Sequence, residues 1–322
     1  MLKYIKFILV LGMLITGLTV EAQNNSSKFT DADIEALINK MSIEEKAGQM
    51  TQVTIDMILK EKSSTEIDEK KLRYAIKDMQ VGSILNVKWH SYDLATWDKV
   101  LTAIQDVATK ETRLGVPILY GIDAIQGANY TQNATLFPHN IGMAASRDRS
   151  LVKAGAQITA KEVRASGHRW NFDPTLGVGR QPLWSRFEET FGEDTYLASE
   201  LGAEVIKGYE EKGLDHHEAV ASCMKHFIGY SNPRSGKDRT PAYMSDRELR
   251  EHYLPTFQAA VDAGTSTVMI NSGELDGMPV HASKYLLTDV LRNELGFEGM
   301  VVSDWEDVIR LKLRAHVAET HK

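Results

Sequence analysis

The chain has 322 residues, 37 basic and 44 acidic side chains, a net charge of −7 and one cysteine. The mildly acidic, interspersed charge argues against nucleic-acid binding as a main role. Cys223, in the apolar context Ala221-Ser-Cys-Met224, excludes an internal disulfide and reads as core packing rather than a reactive thiol.

The first 22 residues read as a secretory signal peptide. Lys3 and Lys6 form the positive region, Phe7 to Val20 is uncharged and mostly apolar, and Val20-Glu21-Ala22 offers small residues before a cut. About 14 apolar residues are too few to span a bilayer. The expectation is a protein exported to the periplasm or medium and free of the membrane after cleavage, with residues 23–28 a polar leader and 29–322 the folded domain. Asp31 to Lys46 predicts one or two leading helices, Ser42 and Glu45 fitting a capping box. Strand-like runs follow at Gln49–Val53, Val81–Val87, Pro117–Asp123, Trp170–Asp173, Val220–Phe227, Thr265–Asn271 and Met300–Ser303. Amphipathic helical stretches lie between them at Tyr74–Met79, Ser91–Lys110, Leu151–Ala165, Thr195–Lys212, Ser245–Ala263 and Ser283–Glu294. This βαβα alternation predicts an α/β fold with a parallel sheet. Seven strands fit a (β/α)8 TIM-type barrel that stops before its last strand, one more helix running from Glu306 to Val317. An open doubly wound sheet is the alternative, but none of the early strands is followed by its glycine-rich turn.

A barrel places its chemistry at the C-terminal ends of its strands. There the sequence sets Asp123, closing Ile118-Leu-Tyr-Gly-Ile-Asp123; Lys225-His226; and Asp304, after the apolar run Met300-Val-Val302, which reads as a buried parallel strand. Asp304 with Trp305 beside it suits sugar chemistry, the carboxylate at the reacting carbon and the ring on a sugar face; the same Ser-Asp also suits an ordinary helix cap. Asp123 either caps a loop or accepts two sugar hydroxyls. Lys225 and His226 either satisfy each other under a loop or hold a hydroxyl. Phe172 to Asp194 is a long irregular segment rich in Arg, aromatic and acidic residues, and such loops are functional more often than not. Arg180 and Arg186 lie six apart beside Glu188, Glu189, Glu193 and Asp194, so at least one of them is expected in a structural ion pair. His216-His217-Glu218 is metal-ligand material on a polar loop after Gly213 and reads as a solvated turn. No Gly-x-Ser-x-Gly, P-loop or His-Glu-x-x-His is present.

Taken together, Gly121-Ile-Asp-Ala-Ile-Gln-Gly127, Arg180-Gln-Pro-Leu-Trp-Ser-Arg186 with Glu189 and Gly192-Glu-Asp194, Lys225-His-Phe227 and Ser303-Asp-Trp305 resemble glycoside hydrolase family 3. The resemblance spans about Ile34 to Leu311, and Gly236-Lys-Asp-Arg-Thr-Pro241 brings it close to β-glucosidase-type members. It implies that Asp304 is a nucleophile forming a covalent glycosyl-enzyme, and that Asp123, Arg186, Lys225 and His226 hold the terminal non-reducing sugar. It further implies that Trp305 flanks the leaving-group subsite, that Glu189 orients an arginine, and that Arg239 and Glu274 lie near the site. No metal or organic cofactor is implied; the partner is a small oligosaccharide or glucoside. Two departures stand out: Gln126 where many members have His, and Ser272 where some have a tyrosine near the nucleophile.

Retention requires a second carboxyl group about 5–5.5 Å from the nucleophile. In β-glucosidase-type members this acid/base resembles a Glu from a following α/β-sandwich domain, so the expectation is a longer two-domain enzyme. A non-catalytic sugar-binding remnant and a β-xylosidase are the competing readings. A β-N-acetylglucosaminidase would need a histidine in the loop after Lys225-His226, where Ile228-Gly-Tyr-Ser-Asn-Pro-Arg-Ser-Gly236 has none.

Overall fold

A computed structural model describes residues 30–320. The helix Asp31–Lys40 belongs to a first compact unit ending at Met41. Thr30 and Asp33 close a capping box at its start, each side chain taking the other's backbone amide. The signal-peptide and leader expectations lie outside the described residues.

The second unit, from Ser42, opens with the helix Ile43–Gln49, whose capping box is the Ser42–Glu45 pair expected from sequence. Each of the seven expected strands forms, its ends displaced by no more than three residues and β1 running one residue past the expected Val53: β1 (Gln52–Thr54), β2 (Ser83–Leu85), β3 (Leu119–Ile122), β4 (Trp170–Asn171), β5 (Cys223–Phe227) and β6 (Thr267–Ile270), then, after a hairpin of β7 (Glu274–Leu275) and β8 (Met278–Pro279), β9 (Met300–Val302). β1 to β4 pair in parallel in chain order, and β5, β6 and β9 do the same. Backbone bonds join the two groups, Asn171 N donating to Ala221 O at 2.9 Å and Lys225 N to Pro174 O at 2.9 Å. Strand order therefore runs without reversal, which fits the winding of a barrel and not a doubly wound sheet. Among the described residues β9 pairs with β6 alone.

That edge position corrects one expectation: Met300 and Val301 are 41% and 39% exposed, so the apolar run is not a fully buried strand. Inside the curve, Trp170, Phe172, Cys223 and Met269 form one cluster, with Leu85, Leu119, Ala221 and Val302 against it. Six strands thus contribute to one inward-facing layer. Trp170 Nε1 crosses it to donate to Thr267 Oγ1 at 2.8 Å. Gly121 fits only because a Cβ there would strike the Phe172 ring. Burial pushes the Cys223 thiol up to about 12, as an inert core position requires.

Helices cover the outer face by helical periodicity. Leu94–Glu111 buries Trp97, Val100, Leu101, Ile104, Val107 and Ala108, with Asp93 capping through Thr96 N at 2.7 Å. Thr195–Glu210 ends on a carboxylate that ties the helix to the strand starts. Glu210 Oε1 accepts from Ser222 N at 2.7 Å and Ser266 N at 3.0 Å, on the approaches to β5 and β6. No helix of the described residues is long and apolar enough to cross a membrane.

Candidate active site

The strand ends carry the chemistry. Cys223 and Lys225 share a face of β5, so Lys225 rises from the inner layer toward the C-terminal rim. A register shift between Lys225 and Phe227 then brings the adjacent His226 to the same pocket. Lys225 Nζ donates to Asp123 Oδ1 at 2.8 Å, and the lysine side chain is only 3% exposed. Asn86, held at φ +56 after β2, donates Nδ2 to Asp123 Oδ2 at 2.8 Å and accepts from Asp123 N at 3.0 Å. Burial works against ionisation of Asp123, but the Lys225 charge, both hydrogen bonds and Arg186 hold its carboxyl below the usual range. Burial likewise opposes the Lys225 charge, as does Arg186, and the Asp123 and Glu189 carboxylates together outweigh them.

The long segment after Phe172 is ordered and largely buried as far as Gly179. It delivers Arg186, whose Nε and Nη2 donate to the two Glu189 oxygens at 2.9 and 2.8 Å. That bidentate pair is the expected arginine-orienting role of Glu189. Arg186 also stacks at 5.5 Å on Tyr230, and its Nη2 lies 3.3 Å from His226 Nε2. Arg180 is exposed and has no ion pair among the described residues; Asp194 caps the helix Thr195–Glu210. Burial, together with the Arg186, Lys225 and Arg239 charges, pushes His226 well below the ordinary histidine range, so the imidazole is neutral. Its Nε2 faces Asp304 Oδ2 at 3.6 Å.

Asp304 leaves β9 with its side chain 9% exposed. Oδ1 takes Trp305 N and Arg239 Nη2, the latter at 3.2 Å. Oδ2 is buried with no hydrogen-bond partner among the described residues. One oxygen is thus anchored and the other is free, the arrangement a carboxylate nucleophile needs. Trp305 itself is 46% exposed on the rim. Arg239 comes in from the 236–241 loop at φ +58 and also donates to Ser272 Oγ. Ser272 Oγ in turn donates a hydrogen bond to Asp307 Oδ1 at 2.7 Å. It therefore reaches Asp304 only through Arg239. Glu274 opens the β7–β8 hairpin; its carboxylate makes no hydrogen bond or ion pair with another described residue.

Asn86, Tyr230, Asp307 and His281 escaped the sequence reading. Asp307, three residues past Asp304, was within reach of inspection; the others carry no local signal. Gln126 lies with its amide against the His139 ring. His216, His217 and Glu218 do converge, but two lysines engage Glu218, at 2.6 and 3.6 Å, and His216 Nδ1 accepts from Glu218 N at 3.1 Å. The turn needs no ion to explain it.

The lysosomal beta glucosidase of Dictyostelium discoideum is 43% identical over 303 residues, covering 89% of this chain and 37% of that protein. A beta-xylosidase of Formosa agariphila is 38% identical over 231 residues, 69% of this chain and 32% of its own. Among solved structures, the beta-glucosidase from Listeria innocua in complex with isofagomine superposes with a TM-score of 0.75 at 31% identity, covering 88% of this chain and 38% of that one. The chain thus spans less than two fifths of the length of these relatives. The profile of the glycosyl hydrolase family 3 N-terminal domain matches residues 42–322, and the chain belongs to that family.

Proposed function

We propose that this chain carries the glycone-binding site and the nucleophile of a retaining, exo-acting β-glucosidase. The observation that carries the reading is the single free, buried oxygen of Asp304 at the end of β9, facing neutral His226 while cationic Arg239 holds the other oxygen. In this reading Oδ2 attacks the anomeric carbon while Asp123, Arg186, Lys225 and His226 hold the hydroxyls of the terminal sugar. Those bonds tighten as the ring flattens, which stabilises the transition state over the ground state. Trp305 flanks the leaving group, and the chemistry needs no metal or cofactor. The acid/base belongs to a following α/β-sandwich domain, with residues 29–322 the barrel domain, 1–22 a cleaved signal peptide, 23–28 a leader, and the enzyme periplasmic or secreted. The Formosa relative supports β-xylosidase as a second reading, since a glucose pocket needs modest change to prefer a pentose.

Hydrolysis of p-nitrophenyl β-D-glucoside and β-D-xyloside by residues 23–322, beside a protein extended through the downstream reading frame, tests this. Activity in the longer protein alone is the expected result. Activity in the shorter one would place the acid/base within these residues, Glu274 first. A folded, extended protein inactive on both substrates would overturn the reading.

A further inference from the structure

We infer that Asp307 is a positioning residue for the nucleophile, acting through Arg239 and Ser272. The inference rests on Asp304 being that nucleophile. Asp307 is the first residue of the helix Asp307–Leu313, where a carboxylate ordinarily serves the helix's own amides. Here it accepts from none of them. Its Oδ1 takes Ser272 Oγ at 2.7 Å and Arg310 Nη1 at 3.4 Å, and lies 3.8 Å from Arg239 Nη1. Its Oδ2 has no hydrogen-bond partner among the described residues and faces His281 Nε2 at 3.9 Å, itself buried and unpartnered.

Such a site costs stability. The residue is 3% exposed, and burial pushes its carboxyl above the usual range against the pull of Ser272, His281 and Arg239. Two further residues bear backbone strain around it. Arg239 at φ +58 and Glu306 at φ +56 occupy the left-handed region, which is strained for residues with a Cβ. Glu306 makes the turn that swings Asp307 back toward β9, and Arg239 makes the one that aims a guanidinium at both carboxylates. A helix-terminal aspartate with only a structural task would need neither.

The geometry divides the guanidinium between the two acids. Nη1 is held by Ser272 and Asp307, which leaves Nη2 to donate to Asp304 Oδ1. With Trp305 N on the same oxygen, Oδ2 remains bare. In the first chemical step Oδ2 forms the bond to the anomeric carbon as the glycosidic C–O bond breaks, its electron pair departing with the leaving oxygen. Without Asp307, Arg239 is free to rotate toward Asp238, 3.7 Å from its Nε, or onto Oδ2 itself. Either movement misplaces the attacking oxygen.

The test uses 2,4-dinitrophenyl 2-deoxy-2-fluoro-β-D-glucoside on the chain itself. Dinitrophenolate departs without a proton, so labelling of Asp304 requires no acid/base. Mass spectrometry of the labelled peptide gives the site, and the concentration dependence gives a maximal labelling rate and an apparent Ki. We expect Asp307→Ala to slow the maximal rate by about 10- to 100-fold with Ki changed less than about threefold. Asp307→Asn, which keeps an oxygen for Ser272, should recover part of the loss, and Ser272→Ala should show the same split at smaller size. A rate for Asp307→Ala within twofold of the unsubstituted protein would overturn the inference, as would rate and Ki worsening in proportion. Should Asp307→Ala fail to fold, Asp307→Asn and Ser272→Ala decide by the same criteria. An unsubstituted protein that stays unlabelled, or is labelled on a carboxylate other than Asp304, removes the nucleophile assignment and this inference with it.

Discussion

Around the rim between β2 and β5, Asp123 has Lys225 and Asn86, and Glu189 has both nitrogens of the Arg186 fork; Asp173 has Tyr209 on Oδ2 but keeps Oδ1 buried without a hydrogen bond among the described residues. Around the rim from β6 to β9, Asp304 Oδ2, Asp307 Oδ2 and His281 Nε2 are buried without hydrogen bonds among the described residues. Satisfied networks rigidify; unsatisfied ones cost stability and stay reactive. The first half is built to hold a polar ligand in fixed register. The second keeps an oxygen of Asp304 available, at a cost in stability.

Breaking each half should therefore read out differently. Asp304→Asn should lower turnover of the complete enzyme on the order of 10⁴-fold or more, with its unfolding midpoint unchanged or raised, because an amide can satisfy the free oxygen's surroundings better than a charge. Substantial residual glucosidase activity in pure, refolded Asp304→Asn would remove the nucleophile assignment. Lys225→Met should do the reverse to stability. It leaves Asp123 without its cation and should cost about 3 kcal/mol in denaturant unfolding, with Asp123→Asn in the same chain returning part of the loss in a double-mutant cycle.

Asp173 sharpens the comparison from within the first half. Burial raises its carboxyl to about 7, against the Tyr209 hydrogen bond at 2.6 Å and the Lys225 charge; Asp123 and Glu189 add to the rise. Its unfolded value is 3.8, so the native state binds the extra proton between about pH 4 and 7. Stability should fall as pH rises through that window, by up to about 4 kcal/mol, and level off above it. Asp173→Asn should flatten the curve; unfolding midpoints measured from pH 4 to 8 that keep the same slope in the variant would exclude Asp173 as its source. The smallest effect is expected at Trp305→Ala. The ring is exposed, so stability should hold within about 0.5 kcal/mol, while KM for aryl glucosides rises a few-fold and activity toward an alkyl glucoside changes less.

The strands were legible because parallel strands are apolar runs, and so were Asp123, Lys225, His226 and Asp304, which sit where such runs end. The β7–β8 hairpin was missed despite Asp276-Gly277 at its turn, both at positive φ. Two-residue strands have no alternation to read. β9 is more exposed than its apolar run predicts, because such a run does not say whether a neighbour covers it. Asn86 and His281 could not be found at all. Their roles depend on a φ of +56 and on a loop returning to Asp307, and neither leaves a mark in local composition.

By itself, then, the sequence determined the α/β alternation, the capped leading helices and the residue types waiting at the strand ends, because periodicity and capping act over a few residues. Tertiary structure alone decided which oxygen of Asp304 is free, which arginine anchors the other, and that Asp307 stands behind that arginine. Those outcomes turn on contacts within 4 Å between side chains 33 to 68 positions apart, set by the curvature of the sheet and by two left-handed residues.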